Sequence, residues 1–258
     1  MSERALSLPV THIVLLIAAG FLAGMVNAAA GGGSLISFPV LLVTGVPSLT
    51  ANMTNTVALC PGYLGGFSGY RSELGDHGRR TGGVALIAIT GALAGVALLQ
   101  ASPAAVFGRV VPFLVLFACA LLAVQPRISA YTLKHRTPSG RSHQIGLAAG
   151  QFAASVYGAY FGAGLGIVVL ALLGVLSAES IQRLNAQKTF LALVVNVCAG
   201  IIFALIGPIE WLAVAFIAPA SLLGGRLGAQ LARRLRANAL RWSVVAFGTA
   251  AGFALLLT

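Results

Sequence analysis

The sequence predicts an all-α polytopic membrane protein built from two inverted-topology repeats, each a broken or re-entrant helical pair followed by three transmembrane helices. Three observations carry the prediction. Hydrophobic residues make up 58% of the 258 and charged residues 8%, with a mean hydropathy of +0.95, so the chain has too little polar surface to fold as a globule in water. Its apolar runs fall into two sets of five, and each set contains one run broken by glycines. Basic residues collect between the runs, at connections that are not equivalent in the two sets.

The N-terminal repeat, residues 1–125, opens with the apolar segment 11–30. This segment leads straight into Asn27-Ala-Ala-Ala-Gly31-Gly32-Gly33-Ser34, so it is expected to be retained rather than removed as a signal peptide. Segment 33–45 follows the glycines. Its 13 residues would rise only about 20 Å as a helix, whereas roughly 20 residues are needed to cross ~30 Å of hydrocarbon. Segments 50–70, 81–100 and 105–124 complete the set. A basic cytoplasmic linker, 126–143, holds Arg127, Lys134, Arg136 and Arg141 together with Pro126, Pro138 and Gly140, and it leads into the C-terminal repeat, 144–258. There segment 144–161 runs into Tyr157-Gly-Ala-Tyr160-Phe-Gly162-Ala-Gly164, and segment 164–176 again has 13 residues. Segments 184–206, 209–232 and 239–257 follow. A bilayer core offers no water to peptide groups, so a broken helix survives there only when packed in protein or lining a cavity. Paired breaks in two halves are a pattern of transporters.

Displacing the chain by 133 residues lays Asn52-x-x-Asn55-Thr56 on Asn185-x-x-Lys188-Thr189, and Gly91-x-x-x-Gly95 on Gly224-x-x-x-Gly228. These anchors carry the duplication argument, because identity elsewhere in that register is low. Charge then sets the orientation. Residues 71–80 carry Arg71, Arg79 and Arg80 while their counterpart, 204–213, has no Lys or Arg; residues 100–105 are uncharged while their counterpart contains Arg233, Arg234 and Arg236. Equivalent loops therefore lie on opposite sides, and placing the basic loops in the cytoplasm puts both termini outside. The pairs Gly20/Gly24, Gly91/Gly95 and Gly224/Gly228 read as close helix packing. Trp211 and Trp242, beside segment ends, read as interfacial anchors. Cys60, Cys119 and Cys198 show no metal-ligand spacing and read as packing residues.

Gly31, Gly32 and Gly33 let the chain leave one helix and start another, which exposes amide N–H groups at the positive end of the new helix dipole. Such an end binds anions. Ser34 adds a hydroxyl, and Gly162 and Gly164 repeat the arrangement in the second half; the alternative is a kink needed only for packing. Asn52, Asn55, Thr56, Asn185, Gln187, Lys188 and Thr189 are the densest polar set inside the apolar segments. Spacing of i, i+3 puts Asn52 with Asn55, and Asn185 with Lys188, on one helix face. An ammonium such as that of Lys188 within a membrane segment marks a substrate path or a paired counter-ion, unless it snorkels to the nearby segment end. Asn27, Gln151, Tyr157 and Tyr160 flank the breaks and either meet a ligand or satisfy freed backbone groups. The four His and five acids sit at segment ends or in loops, so no general base, nucleophile or ligand cluster converges at one depth. The sequence thus predicts no enzyme activity, no metal and no cofactor. The net charge of +11 is accounted for by cytoplasmic loops rather than by nucleic-acid binding.

Nearly the whole chain resembles the TauE/SafE (TSUP) family of sulfite and organosulfonate exporters. The resemblance rests on Gly20-Phe-Leu-Ala-Gly24 leading into Gly31-Gly32-Gly33 and Pro39, then Gly45-Val-Pro47 and Ala51-Asn52-Met-Thr-Asn55-Thr56. In the second half it rests on Gly162-Ala-Gly164, Asn185-Ala-Gln-Lys188-Thr189 and Gly224-Gly-Arg-Leu-Gly228-Ala-Gln-Leu. The second break departs from the family's usual three glycines followed by a proline. The resemblance implies a bacterial or archaeal inner-membrane carrier of small sulfur-containing anions, such as sulfite, thiosulfate or a sulfonate, coupled to protons. The residues agree on an anion, since two opposed helix N-termini and one Lys suit a compact oxyanion. Alternating access would place it at the midplane, with Asn52, Asn55, Gln187, Lys188 and Thr189 completing its shell. The rival readings are an anion-selective channel and a non-transporting membrane scaffold or assembly factor, the latter needing no polar residues at the breaks.

Overall fold

The computed structural model describes residues 9–74, 78–134, 141–176, 181–231 and 237–257. Among these residues the chain forms ten α-helices and no strand: α1 (Val10–Ala29), α2 (Ser34–Val43), α3 (Ser48–Leu74), α4 (Gly78–Ala101), α5 (Ala104–Lys134), α6 (Arg141–Tyr160), α7 (Leu165–Leu176), α8 (Ile181–Ile206), α9 (Trp211–Leu231) and α10 (Ala237–Leu257). Stretches of five of them, in α1, α4, α5, α8 and α9, are long and apolar enough to cross a membrane. Large apolar side chains such as Leu86, Phe113, Ile201 and Phe253 are exposed on the outer surface, which is stable where the surrounding medium is as apolar as leucine itself. Trp211 and Trp242 are exposed as well.

Several helices outrun the segments read from the sequence, α3 and α5 the furthest. α3 extends beyond 50–70 at both ends, and α5 passes through Pro126 to Lys134, into the stretch read as a linker. A proline removes one helical hydrogen bond and bends the helix without having to end it. What remains of the linker, 135–140, lies outside the described residues together with 75–77 and 232–236. Arg136, Arg233, Arg234 and Arg236, which the orientation argument uses, are among them.

The helices pack in matched pairs: α1 on α9 and α6 on α4, α3 on α9 and α8 on α4, α5 on α7 and α10 on α2, with α3 on α8 and α5 on α10. Glycines set the close crossings. A Cβ at Gly91 would stand 2.6 Å from the Phe152 carbonyl oxygen, and one at Gly228 would stand 2.6 Å from the Cα and carbonyl oxygen of Met25. Between helices in lipid it is this backbone approach, not a hydrophobic force, that drives association. The neighbours also give direction. Gly20 faces Ile217 and Gly24 faces Ser221, so α1 and α9 run parallel; Gly91 faces Phe152 and Gly95 faces Val156, so α4 and α6 do as well. Along the α3–α8 seam Gly207 meets Met53, Gly200 meets Cys60 and Gly66 meets Thr189, so that pair is antiparallel. Gly248 against Cys119 and Gly252 against Leu116 make α5 and α10 antiparallel too.

The two short helices lie inside this frame. α2 has 10 residues and α7 has 12, about 15 and 18 Å of rise, too little to cross the hydrocarbon. Leu35, Phe38 and Leu41 of α2 and Leu165, Ile167 and Val169 of α7 are buried. α2 rests on α1, α3, α5 and α10, and α7 on α5, α6 and α8.

Candidate functional site

The first break, residues 30–33, closes α1 by donating the amides of Ala30 and Gly31 to the Val26 carbonyl at 2.7 and 2.9 Å. Gly31 adopts φ +89°, a left-handed conformation that costs an L side chain about 1–2 kcal/mol. The Asn27 side chain then reaches across the break, its Oδ1 accepting the Gly33 amide at 2.7 Å. Among the described residues the amides of Gly32 and Ser34 have no acceptor. The second break, 161–164, repeats the closure, with Phe161 and Gly162 donating to the Tyr157 carbonyl. Here the Tyr157 hydroxyl donates to the freed Ala163 carbonyl at 2.5 Å, and the amides of Ala163, Gly164 and Gly166 lack acceptors among the described residues. Each short helix therefore begins with open N–H donors at its positive end.

The breaks meet. A Cβ on Gly31 would stand 2.8 Å from the Cα and carbonyl carbon of Gly166, and one on Gly166 would stand 2.7 Å from the Gly31 Cα. α5 packs against both, through Leu122 at Gly32 and Ala118 at Gly164.

Polar side chains of α3 and α8 attach to the breaks from opposite ends. Lys188 is 1% exposed, and its Nζ donates to the Ala28 carbonyl at 3.3 Å. That carbonyl lost its helical partner when α1 ended, and the ammonium complements the negative end of α1. Among the described residues no carboxylate pairs with Lys188. Thr189 returns its hydroxyl to the Asn185 carbonyl, as Thr56 does to Asn52. At the other end Asn52 donates Nδ2 to the Tyr160 carbonyl at 2.9 Å, at the last turn of α6. Asn55 accepts the Ser37 hydroxyl of α2 at 2.5 Å.

The structure thus does not gather the sequence-predicted residues into one shell. It places Asn52 by the second break and Lys188 by the first, and holds Asn55 on Ser37 of α2, the helix that follows the first break. Thr189 faces Gly66, and the fourteen residues from Asn52 to Gly66 span about 21 Å of helix. Ser34 is buried at the start of α2. Gln187 is half-buried, and its side chain makes no hydrogen bond among the described residues. Gln151 is buried and bonds Ser155 within α6. The Tyr160 hydroxyl pairs at 3.4 Å with Ser102, just past the end of α4. Ser37 escaped the sequence reading, because one serine in an apolar run carries no signal until α2 is docked on α3. Two apolar grooves, of about 720 Å³ beside Tyr157 and about 350 Å³ between α1, α2 and α10, offer an anion no counter-charge.

A multi-pass helical membrane protein with two broken helices whose ends meet in the interior has the build of a membrane transporter. The match to known proteins is more specific: the family model for sulfite exporter TauE/SafE covers residues 16–255, and the chain belongs to that family. Among relatives, a "Probable membrane transporter protein" of Haemophilus influenzae is 27% identical over 220 residues, covering 85% of this chain and 84% of its own. The "Probable membrane transporter protein ORF9" of a Sinorhizobium species is 28% identical over 95% of this chain and 92% of its own. YfcA of Escherichia coli K12, with the same description, is 23% identical over 81% and 77%. No solved structure matches.

Proposed function

We propose that this protein carries small sulfur-containing oxyanions (sulfite, thiosulfate or an organosulfonate) across the inner membrane of a bacterium or archaeon, coupled to protons, by alternating access between two inverted repeats. The observation that carries the anion is Lys188. A buried ammonium with one carbonyl contact and no carboxylate among the described residues is costly, and an anion at the open amides of the neighbouring break would relieve it. Family membership favours sulfur over other oxyanions. The paired packing of the helices supports a repeat of five plus five, 1–125 and 144–258. The antiparallel course of the equivalent helices α3 and α8, and of α5 and α10, supports inversion. Basic loops inside would then leave both termini outside. The substrate-contacting set is Asn27, Gly31, Gly32, Gly33, Ser34, Asn52, Asn55, Thr56, Tyr160, Gly162, Gly164, Asn185, Gln187, Lys188 and Thr189.

The test is uptake of radiolabelled sulfite and thiosulfate by proteoliposomes, with and without a pH gradient, beside empty vesicles and Lys188→Gln. Saturable, gradient-dependent flux that the substitution abolishes is expected. Unchanged affinity and rate in Lys188→Gln would remove the role assigned to the ammonium.

A further inference from the structure

The two halves of the chain correspond in two registers. Gly91 and Gly95 of α4 meet Phe152 and Val156, while Gly224 and Gly228, 133 residues further on, meet Phe21 and Met25. Phe152 and Val156 lie 131 residues beyond Phe21 and Met25, so α1 corresponds to α6 at that displacement. The carbonyls that close the two breaks, those of Val26 and Tyr157, obey it too. Ala29 is thus the equivalent of Tyr160, and Asn185 of α8, displaced by 133, is the equivalent of Asn52. Equivalent residues are not equivalently bonded. Asn52 donates to the Tyr160 carbonyl at 2.9 Å, whereas among the described residues the Asn185 side chain makes no hydrogen bond and the Ala29 carbonyl accepts none. Asn52 is 1% exposed, while Asn185 and Ala29 are both half-buried. Lys188, one turn from Asn185 on the same face, reaches the neighbouring Ala28 carbonyl, so Asn185 stands near that same end of α1.

We infer that these two pairs are the gates of the transport path, Asn52 with the Tyr160 carbonyl at one end and Asn185 with the Ala29 carbonyl at the other, each latched only while the other is free. This gating rests on the transport reading above and names the residues that carry its alternation. Two halves of like build and opposite orientation can exchange conformations, which turns a path open to one side into a path open to the other. A bond that one half makes and the other lacks is what such an exchange has to swap. Here the Asn52 gate is latched and the Asn185 gate is free. α3 and α8 run antiparallel, which puts Asn185 toward the end of α3 that carries Arg71; with basic ends in the cytoplasm, the free gate faces the cytoplasm. The two states have to lie close in free energy for a substrate to shift them, and one amide-to-carbonyl bond, a factor of about 5 in their ratio, is of that size.

The experiment follows amide hydrogen exchange by mass spectrometry in the wild-type protein, Asn52→Ala and Asn185→Ala, each in lipid nanodiscs without substrate. The reporters are segments 30–36 and 161–167, which hold the amides without acceptors at the two breaks and exchange as water reaches them. In Asn52→Ala, exchange is expected to quicken about 5-fold in 161–167 and to slow in 30–36. Asn185→Ala breaks no side-chain bond of this structure, and it should slow 161–167 by about the same factor while leaving 30–36 no slower. Asn52 and Asn185 also belong to the substrate-contacting set, but a lost ligand leaves exchange in substrate-free protein unmoved. Faster exchange at both breaks in Asn52→Ala, or unchanged exchange of 161–167 in Asn185→Ala, would overturn the inference and leave the transport reading intact; Asn52 would then be a tether of α6. Opposite changes at the two breaks in a protein that moves neither sulfite nor thiosulfate would uphold the paired gates and remove the substrate assigned to them.

Discussion

Gly31→Ala tests whether the contact between the breaks matters, and Gly45→Ala is its control. The two glycines share nearly the same left-handed backbone, φ +89° and +87°, so an added methyl costs about 1–2 kcal/mol of conformational strain at either. Their surroundings differ. At Gly45 nothing lies within 4 Å of the new Cβ, whereas at Gly31 the Cα and carbonyl carbon of Gly166 lie 2.8 Å away. Carbon atoms settle at about 3.5–4.0 Å, and backbone atoms cannot swing aside, so the breaks must part by roughly 1 Å. Overpacking of that kind costs a further 1–3 kcal/mol, in round figures. At about 2–4 °C per kcal/mol for chains near this size, Gly31→Ala should unfold about 2–12 °C below Gly45→Ala. Thermal scans in detergent at one fixed rate give the comparison, since membrane proteins unfold irreversibly and the midpoint is rate-dependent. Sulfite uptake should be lost in Gly31→Ala and kept in Gly45→Ala. Equal midpoints and equal uptake in the two variants would refute the claim that the breaks touch and that transport needs their contact.

Lys188→Met keeps the stem of the side chain and removes a buried charge, so its unfolding temperature should be unchanged or higher, while sulfite uptake drops on the order of 100-fold. Tyr157→Phe leaves the Ala163 carbonyl without its donor, a loss of about 1–3 kcal/mol that should show as a lower midpoint in the same scans and slower uptake. Gly108→Ala, on α5 with open space around its Cβ, should gain about 0.5–1 kcal/mol of helix stability and raise the midpoint without altering uptake.

Much of this molecule is readable in one dimension. Helix existence follows from apolar length, and the sites of interruption follow from Gly31-Gly32-Gly33 and Gly162-Ala-Gly164, because span and break are local properties of the backbone. The polar residues that matter are also visible, since an Asn, Thr or Lys inside an apolar run is conspicuous wherever it ends up. Partners are another matter. Leucine is as content against lipid as against another helix, so no apolar pattern says that α1 lies on α9 or that α5 crosses α10. Only the packed chain decides that Asn52 and Lys188, both on polar faces of equivalent helices, sit at different breaks. It also decides that Lys188 caps the carbonyl end of α1, and that Gly31 presses on Gly166 from 135 residues away. These are long-range backbone approaches, set by where the other helices leave room, and a linear pattern holds no record of them.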